Sequence, residues 1–219
     1  MPLDSDYNLK EIAIKTGLII ILPAITFVLA SLIFEGLGVN DLNEAFIILL
    51  FQLISYTWFL ALNKRFRKYI RESLYYKINM RTAALYIIIG LVLFGLTSIF
   101  ILGSGMESNE SQRETFNLGA LDSIMTFQNI FVILAICIGI PFYEELLFRG
   151  LLFSTLSNKY GTWLSLVISS VIFGLLHGDV FLATSMFGLV LGYIFYKTKS
   201  LLPGILLHMI WNSLSILLM

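Results

Sequence analysis

Glu144, Glu145, Arg149, His177 and His208 are ionisable side chains set among the apolar segments of the C-terminal half of this chain. Glu144, Glu145 and Arg149 stand in Pro-Phe-Tyr-Glu-Glu-Leu-Leu-Phe-Arg-Gly. The only two histidines follow, one closing Phe173-Gly-Leu-Leu-His177 and the other opening His208-Met-Ile-Trp-Asn212. A charge inside a bilayer is costly, so residues of this kind are candidates for function before they are candidates for packing. Spacing separates the two glutamates. On a helix, residues i and i+4 share a face, so Glu145 and Arg149 pair and partly neutralise each other. Glu144 lies about 100° further round the helix and has no such partner, which leaves its carboxylate available as a general base or acid. Asn212 is one turn from His208, and those two side chains project together.

Each feature also has a plainer explanation. A lone intramembrane histidine can serve as a helix–helix hydrogen-bonding residue, and Glu-Glu followed by Arg can be a structural ion pair near an interface. The whole set is harder to assign to packing than any one member. Phe173 and Trp211 read as packing residues or pocket walls. The rows Ser170-x3-Gly174-x3-Gly178 and Gly188-x3-Gly192 read as close helix contacts. A glutamate with two histidines could also hold zinc and a water. No His-Glu-x-x-His pairing is present and the three candidates lie on three segments, so no metal or other cofactor is expected, with zinc as the rival.

The elements that must position these residues are apolar helices. Of 219 residues, 58% are hydrophobic and only 13% charged, against roughly 25% charged in soluble domains. Apolar runs of about 17 to 21 residues suffice to cross a hydrocarbon core about 30 Å thick. They fall at 16–34, 45–62, 82–102, 124–145, 161–177, 180–197 and 201–219, which predicts an all-α polytopic transmembrane bundle of seven spans in one membrane domain, 1–219. The polar connection 103–123 divides an N-terminal three-helix part, 1–123, from a C-terminal four-helix core, 124–219. The stretch Gly17–Phe34 is long for a signal peptide and lacks a small-residue cleavage site, so it reads as a retained span. Segment 124–157 is ambiguous: one long kinked helix keeps seven spans, whereas a turn at Gly139-Ile140-Pro141 makes eight. Glu144 and His177 are equidistant from the Tyr160–Gly161 turn, so an antiparallel hairpin brings them to one depth. His208 stands only seven residues into its own helix, and a kink or tilt must bring it level.

Lysines and arginines favour cytoplasmic loops. With the N-terminus inside and seven spans, all of the 14 basic residues except Arg113 fall on the inner side or inner half. They include the basic 63–81 loop, Lys159, Lys197 and Lys199. The net charge of zero gives no reason to expect a nucleic-acid partner. Cys137 is alone, which excludes an intrachain disulfide and leaves a lipid-facing or packing role.

At its polar residues the sequence resembles the CPBP family, which comprises the type II CAAX prenyl endopeptidases and the bacterial CPBP or Abi proteins. That family's motifs, EExxxR, FxxxH and HxxxN, stand here in order as Glu144-Glu145-x3-Arg149, Phe173-x3-His177 and His208-x3-Asn212. The resemblance covers about 140–215 and fills every motif position, while the first 120 residues match only as generic spans. It implies an intramembrane glutamate-type endopeptidase; the small size and short loops suggest a bacterial member in the plasma membrane, and the basic residues a cytoplasmic N-terminus. Its partners would be a peptide or lipid-modified (prenylated CAAX-type) protein substrate and the surrounding membrane lipids. Carried over, Glu144 is the general base, His177 helps hold the water, His208 and Asn212 are oxyanion donors, and Glu145, Arg149 and Phe173 are supporting residues. The rival from another class is a non-catalytic bacteriocin-immunity or scaffold protein that keeps the motifs as a packed polar network. An ion-coupled carrier ranks below both, because no internal repeat is evident.

Overall fold

The computed structural model describes residues 44–74, 76–108, 110 and 126–218, and its ordered elements there are all helical. They are α1 (Glu44–Leu62), α2 (Lys64–Leu74), α3 (Met80–Ile101), α4 (Phe127–Tyr160), α5 (Thr162–Leu175), α6 (Phe181–Thr198) and α7 (Leu202–Leu218). Four stretches among the described residues are long and apolar enough to cross a membrane: Ala45–Leu62, Met80–Ile101, Phe127–Tyr160 and Gly178–Thr198. The apolar helices α5 and α7 are shorter than that. The six apolar segments expected between 45 and 219 are therefore helices, four of them of span length. The expected span at 16–34 lies outside the described residues, as does much of the 103–123 connection.

The basic 63–81 stretch, expected as a loop, contains the 11-residue helix α2. Its apolar residues Phe66, Tyr69 and Ile70 recur at helical spacing and are buried, while Lys64, Arg67, Lys68 and Arg71 are exposed. A helix so short and charged has no span-like signature, but its buried stripe is that of an amphipathic surface helix. The break after α1 is sealed by side chains. Asn63 Nδ2 donates to the Phe59 carbonyl at 3.1 Å, and Arg67 Nη1 donates to the carbonyls of Leu60, at 2.8 Å, and Ala61, adding side-chain donors at a helix C-terminus, where backbone carbonyls run short of partners. Tyr69 Oη meets Ser154 Oγ at 2.8 Å, and Leu201 N–H donates to the Ser73 carbonyl at 3.4 Å. These contacts fix α2 against α4 and the start of α7.

Helix α4 runs without a turn through Gly139–Pro141, so 127–160 is one helix of 34 residues. It accommodates Pro141 by widening to π-helical geometry over Ala135–Gly139, and again over Leu146–Phe153. The first widening has a traceable cause. The Ile140 N–H bonds the Ala135 carbonyl, and Pro141 has no N–H to offer the Ile136 carbonyl. Asn212 of α7 supplies the missing donor, Nδ2 to Ile136 O at 3.0 Å. Replacing Asn212 with Leu should leave that carbonyl without a partner and cost about 1–3 kcal/mol. A thermal unfolding midpoint in detergent unchanged from wild type would contradict this role.

Small residues bring α5 and α6 together. A Cβ on Gly188 would stand 3.0 Å from Ser170 Cα, and one on Gly174 would clash with Ser185 Oγ and the Phe181 carbonyl. Gly178 belongs to a different category from its expected contact row: at φ +59° and with open space around it, it ends the α5 region through a conformation suited to glycine. Helix α3 covers α6 and α7, with Phe94 stacked on Phe187 at 4.2 Å and edge-on to Trp211 at 5.4 Å. Trp211 is thus a packing residue, and Cys137 is buried.

Candidate active site

The innermost pair is Glu145 and Arg149, only 1% and 2% exposed, with Arg149 Nη1 2.7 Å from Glu145 Oε1. Arg149, counted from the sequence with the inner half of the membrane, lies within the packed core. Two charges removed from water persist only with further hydrogen bonds around them. Arg149 Nη2 donates to the Gly188 carbonyl at 3.2 Å, and its guanidinium lies 4.7 Å from the Phe173 ring centre, a cation–π contact. Phe173 also meets Phe148 edge-on at 4.9 Å, His177 at 4.4 Å and His208 at 5.9 Å. It is the aromatic hub on which both histidines and the arginine rest.

His208 enters between the two glutamates. Its Nδ1 is 3.3 Å from Glu145 Oε1 and its Nε2 is 3.7 Å from Glu144 Oε2. Glu144, expected to lack a partner, therefore faces an imidazole from another helix. Spacing along one helix could not show a pairing between helices. A second residue of α7 makes the approach possible: a Cβ on Gly204 would stand 3.0 Å from Glu145 Oε2. Gly204 was not singled out from the sequence, although its place one turn before His208 was the available signal. Gly204→Ala should push α7 off the carboxylate and destabilise the protein by about 1–3 kcal/mol, read as a lowered midpoint of thermal unfolding. Unchanged stability would mean that α7 does not approach Glu145 this closely. The start of α7 near Gly150, whose Cβ would meet Leu201 Cδ1 at 3.6 Å, explains how His208 comes level with Glu145 so early in its helix.

His177 departs from expectation in its local structure. It lies beyond the end of α5, in the turn before Gly178–Val180, rather than inside an apolar helix. Its N–H bonds the Gly174 carbonyl at 2.8 Å, and its Nδ1 is 2.7 Å from the Phe173 carbonyl. A carbonyl can only accept, so Nδ1 donates and carries the proton in this bond. The start of α6, just beyond that turn, is fastened from a distance by Glu107, whose carboxylate accepts from Leu182 N–H and from Ala183 N–H, the latter at 3.0 Å. An acidic group suits the positive end of a helix, but nothing in the sequence paired the 103–123 connection with α6.

The assembled set divides by exposure. Glu145, Arg149 and Phe173 are buried, whereas Glu144, His177 and Asn212 are partly open, the Glu144 side chain to 13%. Glu144 stands at the middle of α4 and is held there from α1: the adjacent Tyr143 shares a 2.7 Å hydrogen bond with Thr57 and packs 5.4 Å from the Tyr56 ring. Among the described residues, no three histidine, cysteine, aspartate or glutamate side chains are grouped to hold a metal ion.

Residues 126–214 match the family model for the Rce1-like type II CAAX prenyl endopeptidases, and all seven named positions of the three motifs fall inside that match. Over that stretch the chain is similar to this family. The chain is also 28% identical over 127 residues to "Putative membrane peptidase YdiL" of Bacillus subtilis (strain 168), an alignment covering 57% of this chain and 48% of that protein. The chain thus aligns with about half the length of that relative. No solved structure matches it significantly. The family match begins at the foot of α4 and takes in the buried Glu145–Arg149 pair, both histidines and Gly204, but leaves α1, α2 and α3 outside.

Proposed function

We propose that this protein is an intramembrane endopeptidase that hydrolyses a peptide bond of a membrane-associated peptide or prenylated CAAX-type protein. The observation that carries this reading is the division of labour between adjacent glutamates: Glu145 is committed to Arg149, while Glu144 is partly open at mid-helix and faces His208. In the proposed step, a water held between Glu144 and His177 attacks the scissile carbonyl as Glu144 takes its proton. The oxyanion that forms accepts hydrogen bonds from His208 Nε2–H and from the Asn212 amide proton not used on Ile136. Collapse breaks the C–N bond, and Glu144 returns the proton to the leaving amine. Glu145 holds His208 in the required orientation through Nδ1, and Arg149 holds Glu145.

The same reading gives the protein seven spans in a bacterial plasma membrane, with the N-terminus cytoplasmic. Its support is the placement of the basic connections. The Ser73–Leu201 hydrogen bond and the Trp163–Tyr196 contact, 6.3 Å between rings, gather the 63–79, 160–162 and 198–201 segments at one end of the bundle.

The test is incubation of the purified protein in detergent with a peptide library, with and without a chelator. Cleavage that persists with the chelator supports water activation by Glu144 and His177. Cleavage lost with the chelator and restored by zinc would replace that mechanism with a metal-dependent one. A folded protein that binds peptides without cleaving them would favour the immunity or scaffold class.

A further inference from the structure

The exposed face of α2 takes no part in the site. Lys64, Arg67, Lys68 and Arg71 are exposed along it, Lys77 and Arg81 follow, and Glu72 is its one acidic residue. Its opposite face is committed to the core through Phe66, Tyr69 and Ile70. The helix is tied between two span-length apolar helices, α1 ending at Leu62 and α3 beginning at Met80, so it is confined to the membrane surface. Beside it at the same end, Lys199 Nζ lies 4.3 Å from the Tyr196 ring centre, Lys197 Nζ 5.5 Å from Tyr193, and Lys159 Nζ 5.3 Å from Tyr160. Aromatic rings and lysines at helix ends are the side chains that settle at headgroup depth.

We propose that this face is a docking surface for anionic phospholipid headgroups. The occupant follows from placement and charge together. A cationic row held at the membrane surface meets headgroup phosphates before any other anion, and each lysine or arginine there contributes about fivefold in partition. Because α2 carries Tyr69 and Ser73 against Ser154 and Leu201, lipid bound to it also clamps the end of the bundle from which α4 and α7 carry Glu145 and His208. This inference does not depend on the proposed peptidase activity.

The full-length protein, placed in nanodiscs of phosphatidylcholine with a minor fraction of spin-labelled phosphatidylglycerol or spin-labelled phosphatidylcholine, should show the anionic probe enriched at its boundary by about fivefold or more. The enrichment should fall severalfold in 0.5 M salt, used as a screening condition of roughly 4 Å Debye length. It should also fall severalfold in the K64Q/K68Q/R71Q variant, whose side chains leave the core untouched. Equal association of the two probes with wild-type protein would overturn the proposal, as would an enrichment that the triple substitution and salt leave intact. The wild-type salt comparison decides the matter even if the triple variant does not fold.

Discussion

Glu144→Gln should lower the rate of peptide cleavage by about 10³-fold or more while leaving thermal unfolding close to wild type. The amide keeps the shape and volume of the carboxylate, so packing in the middle of α4 is preserved. It can no longer take a proton from water, and general-base catalysis is commonly worth 10²–10⁴-fold. In the proposed mechanism the same group also returns the proton to the leaving amine, so both halves of the reaction suffer. Initial rates on a cleaved peptide, measured beside the unfolding midpoint of each variant, check this. Activity within about tenfold of wild type would remove Glu144 from the base position.

The largest effect on stability is expected at Arg149. Arg149→Met should destabilise the protein by about 3–5 kcal/mol, because it leaves Glu145 buried and uncompensated. The side chain has three attachments to lose: Glu145 at 2.7 Å, the Gly188 carbonyl at 3.2 Å and the Phe173 ring at 4.7 Å. Adding Glu145→Gln to Arg149→Met should recover much of the loss, since the second substitution removes the orphaned charge. Thermal unfolding of wild type, both single variants and the double variant in one detergent forms the cycle. Additive losses in the double variant would contradict the pairing. Activity should remain low in the double variant even where stability returns, because His208 then lacks the carboxylate that orients its Nδ1.

Much of this arrangement was legible in the sequence because it depends on periodicity within one helix. The Glu145–Arg149 pairing follows from i,i+4 spacing, and the apolar segments from 45 onward announce helices through their length. The parts that were not legible arise between helices or from local backbone chemistry. His208 reaches Glu144 and Glu145 from 63 and more residues away, through a close approach that only the missing Cβ of Gly204 permits. The helix through Gly139–Pro141 is the preferred reading of the sequence, with a turn as its rival, because a proline inside an apolar run can end a helix or kink it. The decisive group is Asn212, whose amide stands in for the absent proline N–H. His177 sits outside its helix because Gly178 takes a positive φ immediately after it. Helix α2 is hidden for the opposite reason: it is too charged to resemble a span, and only Phe66, Tyr69, Ile70 and Ser73 of its described residues are buried.

The central claim is that Glu144 activates a water for peptide hydrolysis within the membrane domain. It is tested most directly by incubating wild type and Glu144→Gln, each reconstituted in proteoliposomes, with one cleavable peptide in ¹⁸O-labelled water, and by reading the new C-terminal carboxylate by mass spectrometry. The account predicts a labelled product from wild type, at a single peptide bond, and none above background from Glu144→Gln. The same labelled product at comparable yield from both proteins, or none from folded wild type with any peptide cut by the detergent-solubilised enzyme, would contradict it.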